Sequence, residues 1–328
     1  VNVNSVLANM RASYKITEDL EYRVLYAVNS STGYRNTNAY GFVPGFSGLS
    51  GVGSAAIANA QMSSQTITHT LNWKKDLTSK LNMDAIGGFE YWSTNYASNS
   101  VSASGFNTNL DYKSLTLPYT SMISNAKTVN PPSSFVDPKV SLQSYFGRVQ
   151  LNQDDKYYLT GTIRADGSSK FGSNNKYAYF PSVGAKWAII NENFMKANRY
   201  FSNLALRASW GITGNQEFPA GASQEQFYFS SFNSASQINV ANPNLKWEQS
   251  TSIDLGLEFS SKNGKFWGGL DWYNKNTTNI LFQSTAIQPA PASIYFINLP
   301  NAQLNNRGVE FTLGTNLISK KDLTLSIG

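Results

Sequence analysis

The chain has 328 residues, no cysteine, 26 Lys and Arg against 20 Asp and Glu, a net charge of +6 and a pI near 9.2. The missing cysteine excludes disulfides, thiol catalysis and Cys-based zinc sites together. No run approaches the eighteen or so continuous apolar residues of a membrane helix, so a membrane could be crossed only by strands. The basic excess is not gathered into a patch with interleaved aromatics, which argues against nucleic acid.

Taken in chain order, the sequence alternates with period two, the signature of strands with two unlike faces. Over residues 6–17, Val6, Ala8, Met10, Ala12, Tyr14 and Ile16 fall on one phase, and Asn9, Arg11, Ser13, Lys15 and Thr17 on the other. The same pattern predicts strands over 22–29, 66–74, 81–91, 142–152, 157–166, 179–189, 204–213, 249–260, 266–275, 309–317 and from 323 to the end. Most have the roughly 9–11 residues that cross a hydrocarbon layer when tilted. Short polar turns (17–21, 75–80, 153–156, 261–265, 318–322) alternate with long connections (30–65, 92–140, 214–248, 276–306). Short turns at one end and long loops at the other are the layout of an outer-membrane barrel, periplasmic and extracellular respectively. The one longer inner connection, 191–203, contains an E-N-F-M-K-A run able to make one helical turn.

Charge follows the same division. Arg11, Arg23, Asp84, Glu90, Arg148, Arg164, Lys186, Arg207, Asp254, Glu258, Asp271 and Glu310 all lie on the polar phase. A Lys or Arg on a lipid face costs roughly 2–4 kcal/mol at the bilayer midplane, which accounts for the bias. On the apolar phase, Tyr14, Tyr22, Trp73, Tyr157, Trp187, Phe259 and Phe266 stand near the short turns. Phe89, Tyr91, Tyr177, Tyr179, Trp210 and Trp272 stand toward the long loops, so the two sets form candidate interfacial girdles. A soluble β-rich adhesin or structural protein would alternate too, and an unplugged porin would share the wall. Both readings stay open at this level.

Five motifs add a resemblance: G-T-I-R-A-D-G-S-S-K-F-G (161–172), Y-F-P-S-V-G-A-K-W (179–187), N-L-A-L-R-A-S-W-G-I-T-G-N-Q (203–216), N-P-N-L-K-W-E-Q-S (242–250) and N-N-R-G-V-E-F (305–311). In this order they resemble the SusC/RagA group of TonB-dependent outer-membrane receptors. The resemblance implies an all-β, 22-stranded transmembrane antiparallel barrel of which about twelve strands are covered, with residues 1–328 a partial barrel domain. It implies a plug domain, closing C-terminal strands and a TonB box, none of them in this sequence. A SusD-like surface lipoprotein is the implied partner, with TonB–ExbB–ExbD acting through the plug, outer-membrane lipid around the wall, and pairing with a second SusC–SusD unit among the arrangements allowed. The implied setting is the outer membrane of a Bacteroidetes-like Gram-negative cell. The implied activity is active import of a nutrient, here an oligosaccharide, with an oligopeptide as the alternative. No signal peptide is legible at Val1 and the chain stops within a strand pattern, so the sequence reads as an internal piece.

Within the motifs, Asp166 and Ser168 can bond nearby backbone, Gly167 permits a positive φ and Phe171 can anchor the loop. Asn242 and Pro243 open a turn leading to Trp247, while Arg307 and Gly308 mark a strand entrance. These read as architecture, as do Asp154 and Asp155 at a hairpin tip. Substrate contacts are expected from ring faces and amides on the long loops: Trp92, Tyr96, Tyr112, Tyr119, Asn215, Gln216, Tyr228 and Phe232. Catalysis has no foothold. His69 is the only histidine, no metal-ligand spacing exists, and the glycine-rich run 41–53 lacks the Lys and Ser/Thr ending of a phosphate loop. Neither enzyme activity, cofactor nor metal is expected.

Overall fold

The structure, a computed structural model, describes residues 1–39, 52–107, 118–231, 234–287, 289–320 and 323–327. Its strands are β1 (Asn2–Lys15), β2 (Leu20–Ala39), β3 (Val52–Thr78), β4 (Leu81–Asn107), β5 (Thr128–Val129), β6 (Ser133–Val136), β7 (Val140–Gln153), β8 (Tyr157–Ser168) and β9 (Tyr177–Trp187). There follow β10 (Phe201–Asn215), β11 (Gln226–Ser231), β12 (Ser234–Asn239), β13 (Glu248–Ser261), β14 (Phe266–Thr278), β15 (Leu281–Thr285), β16 (Ile294–Asn298), β17 (Gln303–Lys320) and β18 (Leu323–Ile327). Twelve form one sheet in chain order, β1-β2-β3-β4-β7-β8-β9-β10-β13-β14-β17-β18, with β5 and β6 added to β4. This is the all-β order that the alternation predicts.

The chain divides into two compact units. One holds Val1–Met10, Tyr26–Ile67 and Trp92–Ser141, the other Arg11–Leu25, Thr68–Tyr91 and Leu142–Gly328. In the first, Ala55, Ala103, Phe106 and Tyr119 make a small core, with the Phe106 and Tyr119 rings stacked at 4.4 Å.

In the second unit, register carries the two-faced character from strand to strand. Val149 faces Gly161, then Val183, Trp210 and Ile253 across β7, β8, β9, β10 and β13. Two rows nearer the short turns on the same face, Tyr157, Trp187, Leu206, Leu257, Leu270 and Phe311 are successive partners. These side chains are not core: Val183 is 45% exposed and Phe311 65%. A continuous exposed apolar surface of this kind is foreign to a monomeric protein in water. The opposite phase carries Tyr158, Lys186, Arg207, Gly256, Asp271 and Glu310 as one polar row.

Two expectations about the connections need correction. Residues 30–65 and 92–140 are predicted as loops, yet β2, β3 and β4 run on as strands of 20, 27 and 27 residues. Their outer parts are rich in Ser, Thr and Asn on both phases in β2 and β4 and in Ala on both phases in β3, so the apolar–polar periodicity that marks a strand is lost while the backbone ladder continues. The connections 214–248 and 276–306 build a second, four-stranded sheet, β11-β12-β16-β15. The E-N-F-M-K-A run does make one helical turn, of 3-10 type over Asn193–Met195, and Ile189–Asn191 forms another on the other side of Glu192. Asp154 and Asp155 sit at the β7–β8 tip with φ of 55° and 53°, the two left-handed central positions of a primed hairpin turn.

Candidate functional site

The polar face of the second unit is laced by ion pairs. Arg207 on β10 donates Nη2 to Asp271 Oδ1 on β14 at 2.7 Å and pairs through Nη1 with Glu258 on β13 at 3.2 Å, which also meets Lys186 at 3.6 Å. Gly256 lies between Arg207 and Asp271 in the register, and a Cβ there would collide with both side chains. The missing side chain is what lets the pair close across an intervening strand. Arg164 on β8 forms a second centre. Its Nε donates to both Asp166 oxygens at 2.7 and 2.9 Å, its Nη2 donates to Glu90 and to buried Ser144, and it lies 5.7 Å from the Phe146 ring centre. These groups are partly exposed, so each pair adds little to stability.

Toward the long connections, the motif residues converge into one clamp. Phe171 is 1% exposed and packs on Trp247, ring centres 4.5 Å apart, and on Phe218 at 5.1 Å; Leu245, Ala222, Ala178, Phe180 and Phe296 belong to the same buried cluster. Gly172 N–H donates to the Leu245 carbonyl, Asn174 N–H to that of Pro243, and Trp247 Nε1 to that of Lys176. A Cβ on Gly172 would run into the carbonyls of Asn242 and Pro243. Lys170 Nζ donates to the carbonyls of Gln216 and Phe218, and Ser168 Oγ to Gln216 Oε1. The β9–β10 ladder runs from Trp187 to Ser182 and stops at Pro181, which has no N–H to give.

The structure redistributes the expected roles. Asp166 binds the Arg164 side chain rather than backbone, whereas Ser168 Oγ accepts from Lys170 N–H at 3.2 Å. Gly167 is a strand residue without positive φ; the Tyr177 ring lies where its Cβ would stand. Arg307 and Gly308 lie inside β17, which already pairs with β14 at Gln303.

Of the expected binding residues, Trp92 and Tyr96 are on β4, not in a loop. Tyr119 is 2% exposed in the core of the first unit. Asn215 Nδ2 donates to Glu248 and Gln216 belongs to the clamp. Tyr228 on β11 is 61% exposed. Tyr112, Phe232 and the glycine-rich run up to Gly51 lie outside the described residues. Within the first unit, a groove of about 360 Å³ is lined by Gly33, Arg35, Ala58, Ala60, Tyr96, Ser98 and Ser100. Sequence reasoning missed Arg35 and the small residues beside it. Small residues next to an isolated Arg and Tyr in an extended polar strand were the available signal. Among the described residues no cluster of His, Asp and Glu is arranged to hold a metal.

At the short-turn end, Glu192 accepts from Tyr157 Oη at 2.5 Å, Trp187 Nε1 at 3.1 Å and Lys156 Nζ at 3.2 Å. The Tyr157 hydroxyl first, and then the Lys156 ammonium, hold its carboxyl below the usual carboxylate range.

This fold and these motifs have recognisable relatives. Residues 2–328 match the family described as TonB dependent receptor-like, beta-barrel. TonB-dependent receptor P3 of Formosa agariphila is 30% identical over 97% of this chain and 31% of its own length. TonB-dependent receptor SusC of Bacteroides thetaiotaomicron is 36% identical over 56% of this chain and 19% of its own. The solved structure of the RagAB peptide importer in its open-open state superposes with a TM-score of 0.82 at 24% identity, over 99% of this chain and 35% of that one, a likeness of fold. The chain thus spans about a third or less of the length of these relatives. The chain belongs to the TonB-dependent receptor-like β-barrel family.

Proposed function

We propose that residues 1–328 are a partial barrel domain, part of the wall of an outer-membrane active importer, with the apolar face against lipid, the charged face toward the interior and the long-connection end outside the cell. The observation that carries the reading is the sheet's division into an exposed apolar band and an ion-paired opposite face. Import is driven by TonB–ExbB–ExbD through a plug and TonB box supplied by the rest of the receptor. A SusD-like lipoprotein captures substrate at the long-connection end. Detergent-dependent extraction and heat-modifiable gel migration of the full receptor test insertion; a soluble adhesin would show neither.

The substrate we propose is an oligosaccharide. Exposed Tyr228, and Tyr96 beside the small polar residues of its groove, are ring faces and hydroxyls suited to sugars. An oligopeptide is the second reading, favoured by the β11-β12-β16-β15 sheet, whose edges β11 and β15 offer unpaired backbone for strand addition. Binding of oligosaccharide and oligopeptide pools to the receptor with its lipoprotein separates them. Preference for peptides overturns the sugar assignment.

A further inference from the structure

The connection between β9 and β10 is the one short-turn-end link that is not a tight hairpin, and its surface is unusual. Phe194 is 67% exposed and Tyr200 78%, while Lys196 and Arg199 between them are exposed and, among the described residues, make no ion pair. The single acid of the segment, Glu192, is already occupied by Lys156, so the segment presents two rings and two uncompensated positive charges.

Its position is set by what holds Glu192. The two ring donors, Tyr157 Oη and Trp187 Nε1, belong to residues directly paired across β8 and β9 on the apolar face, in the row that continues through Leu206 and Leu257. A carboxylate held from that side draws the 3-10 turns under the rim of the apolar band, not toward the ion-paired face. Further bonds tie the segment to the neighbouring tips: Asn191 Nδ2 donates to the Asp155 carbonyl, Lys262 N–H to the Tyr200 carbonyl and Lys262 Nζ to the Asn198 carbonyl. The connection is therefore a braced shelf.

We propose that residues 189–200 form an interfacial anchor, with Phe194 and Tyr200 set among phospholipid headgroups of the leaflet at the short-turn end and Lys196 and Arg199 on anionic phosphates. The inference rests on the membrane reading above. Rings that are amphipathic or small enough for the headgroup layer favour this depth, and basic side chains beside them favour anionic lipid. The segment continues the apolar band's own edge and carries the complementary charge, which is why lipid is the occupant chosen over a second protein surface.

The 328 residues contain no cysteine, which makes site-directed labelling clean over this region. The full-length receptor, with any cysteines elsewhere replaced, is reconstituted in vesicles of phosphatidylethanolamine and phosphatidylglycerol carrying nitroxide lipids. An environment-sensitive fluorophore is placed singly by F194C, Y200C, V183C (mid-band on β9) or D155C. Labels at 194 and 200 are expected to be quenched more by headgroup nitroxide than by deep acyl nitroxide, that at 183 more by the deep one, and that at 155 by neither. If 183 is quenched while 194 and 200 behave like 155, the anchor is refuted and the membrane reading stands. If 183 is not quenched, the membrane reading itself fails. Replacing phosphatidylglycerol by phosphatidylcholine should weaken headgroup quenching at 194 and 200, and K196Q with R199Q should remove that lipid dependence. Equal quenching in both lipids overturns the assignment to anionic phosphate.

Discussion

Val183→Arg measures the central claim about which face meets lipid. Val183 stands on β9 midway between Tyr179 and Trp187, and its partners are Gly161 on β8 and Trp210 on β10. At about 3.3 Å per residue on a strand tilted by about 40°, four residues place it about 10 Å from either ring row, near the middle of an apolar band about 25 Å tall. Arginine at that depth costs roughly 2–4 kcal/mol, which lowers the folded-to-unfolded ratio roughly 30- to 700-fold. Ser182→Arg, one residue away on the opposite face and exposed, should change stability by no more than about 0.5 kcal/mol. Guanidinium unfolding of the full receptor in lipid vesicles, followed by tryptophan fluorescence, reads both. Equal midpoints for the two variants, or a larger loss for Ser182→Arg, would refute the assignment of faces.

Three further outcomes follow from the geometry. Gly172→Ala should loosen the clamp by about 1–3 kcal/mol, because its methyl meets two backbone carbonyls that cannot rotate away; faster proteolysis of residues 219–224 reads it, and an unchanged rate contradicts the close approach. Asp271→Asn should cost at most about 1 kcal/mol, since Arg207 is half exposed and keeps Glu258, and the loss should shrink in high salt; a salt-independent loss of several kcal/mol would mean a dry interior. Glu192, whose folded-state carboxyl titrates below its ordinary range, stabilises its turn above that range and releases it as pH falls through the lowered value. Trp187 fluorescence should report the transition below the usual carboxylate range and lose it in Glu192→Gln, whereas a transition at or above that range would contradict the hydrogen bonds assigned.

How much was legible in the sequence varied with how much work each face performs. Strands such as β8, β10 and β13 declared themselves because their apolar phase had one environment and their charged phase another. The outer parts of β2, β3 and β4 have no such division: Ser98, Asn99 and Ser100 are polar on both sides, so periodicity gave no warning that the ladder continues to Asn107. The sheet of β11, β12, β15 and β16 was hidden for another reason. Its strands are five or six residues long, and its pairing joins segments some fifty residues apart, such as Asn239 with Ile294. Tyr119 looked like a loop ring free to stack on a ligand, and only its partner Phe106 shows where the ring is used.

The clamp explains why the residues that carry the family resemblance say little about cargo. Two motifs hold each other here: Gly172 N–H donates to the Leu245 carbonyl, a Cβ on Gly172 would meet the carbonyls of Asn242 and Pro243, and the Trp247 ring packs on Phe171. The constraint on these positions is internal to the chain. On the import reading proposed above, residues that meet cargo answer instead to a partner outside the chain. Specificity should therefore be sought where the pattern is weakest and the side chains are free, at Arg35 and Tyr96 beside their small polar neighbours and at Tyr228 on the outer sheet, and not at the residues by which the chain is first recognised.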